Sequence, residues 1–337
     1  MIESGSKKLF GFSIFCLFFF TVRYIHYSSY ILGNAGVTSL NHSLSSNEPE
    51  SISISKTITV LKQAVDYSWA GAWRGLGLAL DRQGKYDEAD ISWQKSGEKG
   101  LDFIARGQRA QALGQLEEAI RWYERARKLE NGMGDTWYYL ARVYEKLGDN
   151  QKAIDSYEQG LQLAQFYTIG KSDLYLAQGL VYARQGDKDS WSLALELYTK
   201  AIQANDFQQN QARIRVLYAR AEALRHLEQY EQAREGYMAV LALQPKHYWA
   251  NVYLAEIIWR FDGDPLGAKT FLLRAIDSNS QYKFAYKLLG EIFVELGEWQ
   301  EAFDVYDRLL EIDPEDSKAL EMKNLLLQEI QGALPGQ

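Results

Sequence analysis

A short pattern built around one alanine recurs seven times in this chain of 337 residues. In most copies an aromatic residue follows the alanine by four positions and a small residue follows by seven. Successive alanines are separated by 30, 34, 41, 39, 35 and 34 residues. A period near 34 residues predicts a repeat architecture in which each copy is one supersecondary unit. The marker alanines are Ala89, Ala119, Ala153, Ala194, Ala233, Ala268 and Ala302.

One copy, residues 134–162, shows what each unit folds into. Its second half places Ala153, Tyr157 and Gly160 on one face of a helix. Gly148 lies between the two halves, where a helix ends most easily in a left-handed conformation. The first half predicts another helix, because four packing residues follow the spacing i, i+3, i+4, i+7. These are Trp137, Leu140, Ala141 and Tyr144.

The same frame fits residues 283–314, where Tyr286, Gly297 and Tyr306 take the places of Trp137, Gly148 and Tyr157. This pattern resembles the tetratricopeptide repeat (TPR) family, and the resemblance covers about residues 70–315. It implies an all-α fold, a right-handed α-solenoid of about seven helix pairs. The physical argument agrees, because one pair leaves apolar surface that only a stacked neighbour can cover.

Two parts of the repeat region depart from the family pattern. Arg106 stands where the second copy should carry leucine, and extra residues precede Ala194 and surround positions 205–213. We expect altered packing at these places and an unchanged architecture.

The ends of the repeat region are expected to be capped. Residues 316–332 predict a helix that turns leucines toward the last repeat and charges outward, and residues 57–69 resemble the second helix of a truncated copy. The leucines expected to face the repeat are Leu320, Leu325 and Leu326.

The amino-terminal segment, residues 1–35, predicts contact with a membrane. Residues 9–22 carry no charge, and extension to residue 32 gives a helix of roughly 36 Å, enough for a hydrocarbon core of about 30 Å. Two interpretations remain, a signal anchor spanning residues 9–32 and a cleaved signal peptide. Lys7 and Lys8 precede the segment, so both interpretations place the repeats outside the cytoplasm. Residues 36–56 are rich in Ser and Asn and predict a flexible linker.

The sequence has few of the features that are typical of enzymes, cofactor-binding proteins or nucleic-acid-binding proteins. Cys16 is the single cysteine, so the chain cannot form an intramolecular disulfide, and its four histidines are dispersed. No phosphate-binding glycine loop or zinc-binding motif occurs. A net charge of −7 argues against nucleic acid as the main partner. We therefore expect no enzyme, no cofactor and no metal.

A binding groove is predicted on the other face of the first helices. If positions 137, 140, 141 and 144 pack, then positions 135, 138, 142 and 145 point elsewhere, toward the concave groove. Reading that spacing through the copies gives seven arginines, five aromatic or imidazole groups and one aspartate. They are Arg74, Asp81, Arg82, Tyr138, Arg142, Arg184, Arg215, Tyr218, Arg225, His226, Trp249, Trp259 and Arg260.

Some of these arginines have a predicted partner within their own helix. Glu222 precedes Arg225 by three residues and Glu256 precedes Arg260 by four, both favourable spacings for ion pairs. The better ligand-binding candidates are therefore Arg142, Arg184, Arg215, Tyr138, Tyr218, Trp249 and Trp259. Arginine forks and aromatic rings suit an extended anionic or carboxylate-bearing ligand. The Lys and Asn combination of the family's carboxylate-clamp subgroup is absent.

The sequence favours a non-catalytic, membrane-anchored scaffold that binds a protein or peptide segment in its groove and supports complex assembly. One alternative is an accessory domain of an envelope glycan or polymer assembly pathway that binds an anionic or sugar ligand. Another is a structural solenoid that self-associates.

Overall fold

The computed structural model describes residues 50–65 and 70–332, which form sixteen α-helices in two units divided after Gly132. The first unit contains α1 (Glu50–Val65), α2 (Ala70–Arg82), α3 (Tyr86–Lys95), α4 (Gly100–Ala112) and α5 (Leu116–Leu129). The second unit contains α6 (Gly134–Lys146), α7 (Asn150–Leu161), α8 (Lys171–Ala183), α9 (Lys188–Ala204), α10 (Asn210–His226), α11 (Tyr230–Leu243), α12 (Tyr248–Arg260), α13 (Pro265–Ser278), α14 (Lys283–Glu295), α15 (Trp299–Ile312) and α16 (Ser317–Gly332). Within each unit, helices pack against their neighbours in the chain.

The predicted repeat core is confirmed. All seven marker alanines are fully buried. The side chain four positions later is also buried in every copy, as is the residue seven positions later in the copies where it is not glycine. The large side chains that fill the space between the helices are Trp93, Tyr123, Tyr157, Tyr198, Tyr237, Leu272 and Tyr306.

Small residues on the first helices let these rings lie directly against the backbone. A Cβ atom added at Gly107 would lie 2.3 Å from the Tyr123 ring, and one at Gly290 would lie 2.6 Å from the Tyr306 ring. Ala141 takes the corresponding position beside Tyr157 and is fully buried. Leu140 is buried as predicted, whereas Trp137 and Tyr144 keep intermediate exposure.

The turn inside each pair requires a left-handed residue. Gly148 has φ +79°, as its position predicted, and the turns of five other copies have glycine in the same conformation. At Gly148 no atom lies within 4 Å of an added Cβ, so the backbone angle and not the space selects glycine. The fifth copy departs from this rule, because Glu228 adopts φ +62°.

The extra residues of the fourth and fifth copies form two connections tied down by aspartates. The Asp135 carboxylate accepts the backbone N–H groups of Tyr167 and Thr168 at 2.9 and 2.7 Å. The Asp206 carboxylate accepts two N–H groups at the start of α8, those of Lys171 and Ser172, both at 2.8 Å. Position 135 was expected to face the groove. That expectation is wrong, because Asp135 is fully buried against the connection.

Both terminal helices differ in detail from their predictions. Helix α1 begins at Glu50, seven residues before the predicted capping segment, because Ile54 extends the buried stripe of Ile58 and Leu61. In α16, Leu326 is buried as expected, but Leu320 and Leu325 are 44% and 49% exposed.

Residues 9–32, to which the sequence assigns a membrane segment, lie outside the described residues. Among the helices that are described, none combines the length and apolar character needed to cross a bilayer.

Candidate functional site

Two of the predicted groove arginines meet at one carboxylate. Nη1 of Arg142 lies 3.1 Å from Oε1 of Glu145, and Nη2 of Arg184 lies 2.5 Å from its Oε2. The Tyr157 hydroxyl also donates to Glu145, whose side chain is only 7% exposed. Burial, followed by the charge of Glu145, raises the pKa of Tyr157, so the phenol stays protonated and remains a donor. Arg142 and Arg184 are therefore internally paired.

Three of the predicted aromatic residues already contact other side chains of the fold. Tyr138 packs on the core beside Tyr157, with ring centroids 6.1 Å apart. Trp259 donates its indole N–H to Glu295 at 2.6 Å. Trp249 stacks on Tyr253 with centroids 6.1 Å apart.

The ion pairs predicted for two other arginines are confirmed. Nε of Arg225 lies 3.3 Å from Glu222, and Nε of Arg260 lies 3.6 Å from Glu256.

Arg215 and Tyr218 line a mostly apolar pocket of the second unit. The pocket encloses about 280 Å³ between α8, α9, α10 and the residue that precedes α12. Its walls are mostly apolar, and six of its ten lining side chains carry a polar atom. The lining residues are Leu176, Leu180, Ala183, Trp191, Tyr198, Arg215, Tyr218, Ala219, Glu222 and His247.

The electrostatics of this pocket leave one positive charge available. Glu222 is engaged by Arg225 and by the Tyr237 hydroxyl. Burial lowers the pKa of His247, whose Nδ1 accepts the N–H of Ala250 at 3.2 Å, so the ring is neutral at pH 7. Arg215 is exposed and forms no ion pair with any residue of the described part of the chain. The pocket therefore suits an apolar group that carries a negative charge or a carbonyl oxygen at one end.

Sequence reasoning missed Trp191 and His247, which complete the pocket. Trp191 lies on α9, a second helix, whereas the spacing argument considered only the first helices. Its indole stacks on His226 with centroids 4.1 Å apart and planes 9° apart. His247 caps α12 and lies 4.9 Å from the Tyr218 ring. The signal in the sequence that could have found Trp191 is the insertion of extra residues before Ala194.

Aromatic rings continue from the pocket along the second unit. We call this set the aromatic strip. Tyr218 approaches Tyr237, which stacks on Tyr253, and Tyr282 lies edge-on to Trp249 with centroids 4.5 Å apart. The strip comprises Tyr218, Tyr237, His247, Tyr248, Trp249, Tyr253, Tyr282 and Phe284.

No group of three or more His, Cys, Asp or Glu side chains within residues 50–65 and 70–332 is arranged to hold a metal ion.

Tetratricopeptide repeat family models match three stretches, residues 134–167, 214–247 and 285–320. These correspond to the copies built on α6 and α7, α10 and α11, and α14 and α15.

Curated relatives match the chain over part of their length. A TPR repeat-containing protein of Methanocaldococcus jannaschii, MJ1428, is 24% identical over 63% of this chain and 39% of its own length. The photosystem I assembly protein Ycf3 of Prochlorococcus marinus is 29% identical over 30% of this chain. The chain spans about two fifths of the first relative and 64% of the second.

Solved structures share the fold. PilF of Pseudomonas aeruginosa superimposes with a TM-score of 0.55 at 16% identity, covering 69% of this chain and 96% of PilF. The C-terminal part of a TPR repeat-containing protein from Cytophaga hutchinsonii gives 0.54 at 19% identity, covering 74% and 98%. The family-model matches identify tetratricopeptide repeats in three stretches of this chain, and the solved structures show the same fold.

Proposed function

We propose that this chain is a non-catalytic scaffold that binds a protein or peptide segment through the pocket of its second unit and supports assembly of a complex. The observation that carries the proposal is a mostly apolar pocket of about 280 Å³ whose lining includes Arg215, an exposed arginine that forms no ion pair with a described residue. An apolar side chain of the partner enters the pocket, and Arg215 binds a carboxylate or carbonyl oxygen beside it. The relative Ycf3, named for photosystem I assembly, supports an assembly role for this architecture.

The test compares partners recovered from cells by the full chain and by variants of the pocket. Ala183→Phe fills the pocket, and Arg215→Gln removes its charge. Arg213→Gln is the matched control, because Arg213 is exposed on the same helix and does not line the pocket. We expect chemical crosslinking and mass spectrometry to recover a partner with the wild type and the control and to lose it with both pocket variants. Equal recovery from all four proteins would contradict the proposal.

We further propose that residues 9–32 anchor the chain in a membrane with the repeats outside the cytoplasm. The support is the uncharged stretch 9–22 preceded by Lys7 and Lys8. Fractionation and protease accessibility in intact cells test the location, and the mass of the mature amino terminus distinguishes an anchor from a cleaved signal peptide. Recovery of the repeats in a protease-protected cytoplasmic fraction would contradict both.

The aromatic strip favours a second candidate, an accessory domain of a glycan or polymer assembly pathway. Partly exposed rings such as Trp249 and Tyr282 offer apolar faces on which sugar rings stack. The dependence of binding affinity on salt concentration distinguishes the two candidates. A polyanion should lose affinity steeply as ionic strength rises, whereas a peptide held by its apolar side chain should lose little.

Self-association is the remaining alternative, and it is supported by Leu320, Leu325 and Leu327, which α16 leaves exposed. Light scattering that finds only monomers over the working concentration range would exclude it.

A further inference from the structure

The first unit contains a polar cavity that includes two of the predicted groove residues, Asp81 and Arg82. It encloses about 400 Å³ between the end of α2 and the beginning of α5, a volume within the roughly 300–1,000 Å³ of small-molecule sites. All but one of its lining side chains are charged or carry an amide. They are Asp81, Arg82, Gln115, Glu118, Arg121, Trp122 and Arg125.

One arginine in the wall is already neutralised. Arg125 is 6% exposed and donates to both carboxylate oxygens of Asp81, at 2.5 and 2.8 Å. Its Nε donates to Asp90 at 2.6 Å, and Lys128 holds the other oxygen of Asp90 at 3.0 Å. These four side chains carry two positive and two negative charges, so the network has no net charge.

Two arginines of the cavity remain available. Arg82, the last residue of α2, and Arg121 on α5 form no ion pair with any described residue. The Arg121 guanidinium lies 4.7 Å from the centre of the Tyr86 ring, a contact that holds the group in place and leaves its hydrogen-bond donors open. An oxyanion in this cavity would receive forked hydrogen bonds from both arginines.

The other open groups accept and donate hydrogen bonds. Glu118 accepts the Trp122 indole N–H at 3.2 Å through Oε1, which leaves Oε2 for a ligand donor. The Gln115 amide makes no side-chain hydrogen bond among the described residues. Trp122 is 5% exposed and stacks on Phe103, so it offers no open face to an aromatic ligand. The cavity therefore suits a ligand with an anionic group and several hydroxyls.

We propose that this cavity binds an anionic sugar, with its carboxylate or phosphate on Arg82 and Arg121 and its hydroxyls on Glu118 and Gln115. The proposal is independent of the peptide pocket, because the cavity belongs to the other unit and shares no residue with it.

Isothermal titration calorimetry on the purified full chain tests the proposal with glucuronate, glucose 6-phosphate, glucose, inorganic phosphate and succinate. We expect one or both charged sugars to bind and the remaining three compounds to bind at least tenfold more weakly. The two charged sugars distinguish a carboxylate from a phosphate as the anionic group. If succinate or inorganic phosphate binds as well as the sugars, or if nothing binds, the proposal is wrong.

Variants assign the binding to the cavity. Arg82→Gln and Arg121→Gln should each weaken binding at least tenfold, and Glu118→Gln should weaken binding of the sugars alone. Arg109→Gln is the control, because Arg109 is exposed on α4 of the same unit and does not line the cavity. Thermal unfolding verifies that the variants fold. Unchanged binding in folded Arg82→Gln and Arg121→Gln would overturn the assignment.

Discussion

Nη2 of Arg184 donates to Oε2 of Glu145 at 2.5 Å and links the first helices of two successive copies, α6 and α8. Glu145 also accepts from Arg142 and from Tyr157, so one nearly buried carboxylate joins three other side chains. In the first unit, Asp81 has the equivalent place eight residues before the marker alanine and accepts from Trp93 at 2.9 Å and from Arg125. Acidic residues at this position hold the ring of the second helix and an arginine together.

This arrangement predicts the cost of removing the Glu145 carboxylate. Glu145→Ala should lower the free energy of unfolding by about 2–3 kcal/mol, because it leaves the Tyr157 hydroxyl unpaired and removes the anion that pairs with two arginines. Both arginines are partly exposed, so solvent screening limits the cost of losing their ion pairs. Glu145→Gln should cost less, since the amide oxygen still accepts from Tyr157. Urea denaturation measures both. Glu196→Gln removes the exposed ion pair with Lys200 and should produce no measurable change.

The contact between Gly107 and Tyr123 predicts the effect of one added methyl group. Gly107→Ala should destabilise the chain by about 1–3 kcal/mol, because the new Cβ would enter the ring and the buried Tyr123 has little room to move. Gln108→Ala, an exposed change one residue along α4, is the control and should stay within about 0.5 kcal/mol. If thermal unfolding shows Gly107→Ala to be as stable as the control, this packing is wrong.

The left-handed conformation of Glu228 predicts a stabilising substitution. Glu228→Gly should raise the free energy of unfolding by about 0.5–1 kcal/mol, because relief of the strained backbone exceeds the entropy that glycine adds to the unfolded chain. The reverse experiment is Gly148→Ala, which should cost about 1 kcal/mol. A loss of stability in Glu228→Gly would show that its side chain matters more than its backbone angle.

Two partly desolvated histidines predict a loss of stability in mild acid. Burial lowers the pKa of His247 and, together with Arg225, that of His226 below the ordinary value of 6.5. The unfolded chain therefore binds more protons than the folded chain as the pH falls below about 6.5. The contribution of the two neutral histidines to the free energy of unfolding is therefore complete above pH 6.5 and is lost as the pH falls below that value. His247→Asn preserves a helix-capping side chain and should reduce the difference in stability between pH 7.5 and pH 5.5. Urea denaturation at both pH values provides the measurement, and an unchanged difference would contradict the prediction.

Most of the fold could be predicted because its determinants are local and repeated. Ala153, Tyr157 and Gly148 each follow from spacing within one helix pair, and seven copies in one frame reinforce the interpretation. The predictions fail for residues whose partner lies far away in the chain. Asp135 matches a groove position by spacing, but it binds the backbone of residues 167 and 168, which belong to a connection that the other copies lack.

Helical periodicity and backbone preference act between near neighbours, so the all-α repeat, the buried alanines and aromatic rings and the place of the turns follow from local sequence patterns. Which groove residues are free depends instead on how the helices pack. Arg184 pairs with Glu145 across 39 positions of the chain, and Arg215 remains without an ion pair among the described residues. Charge pairing between stacked helices depends on distances that no local pattern encodes. The two sites that we propose are each lined by residues from more than one helix, so they depend on how the helices pack against one another.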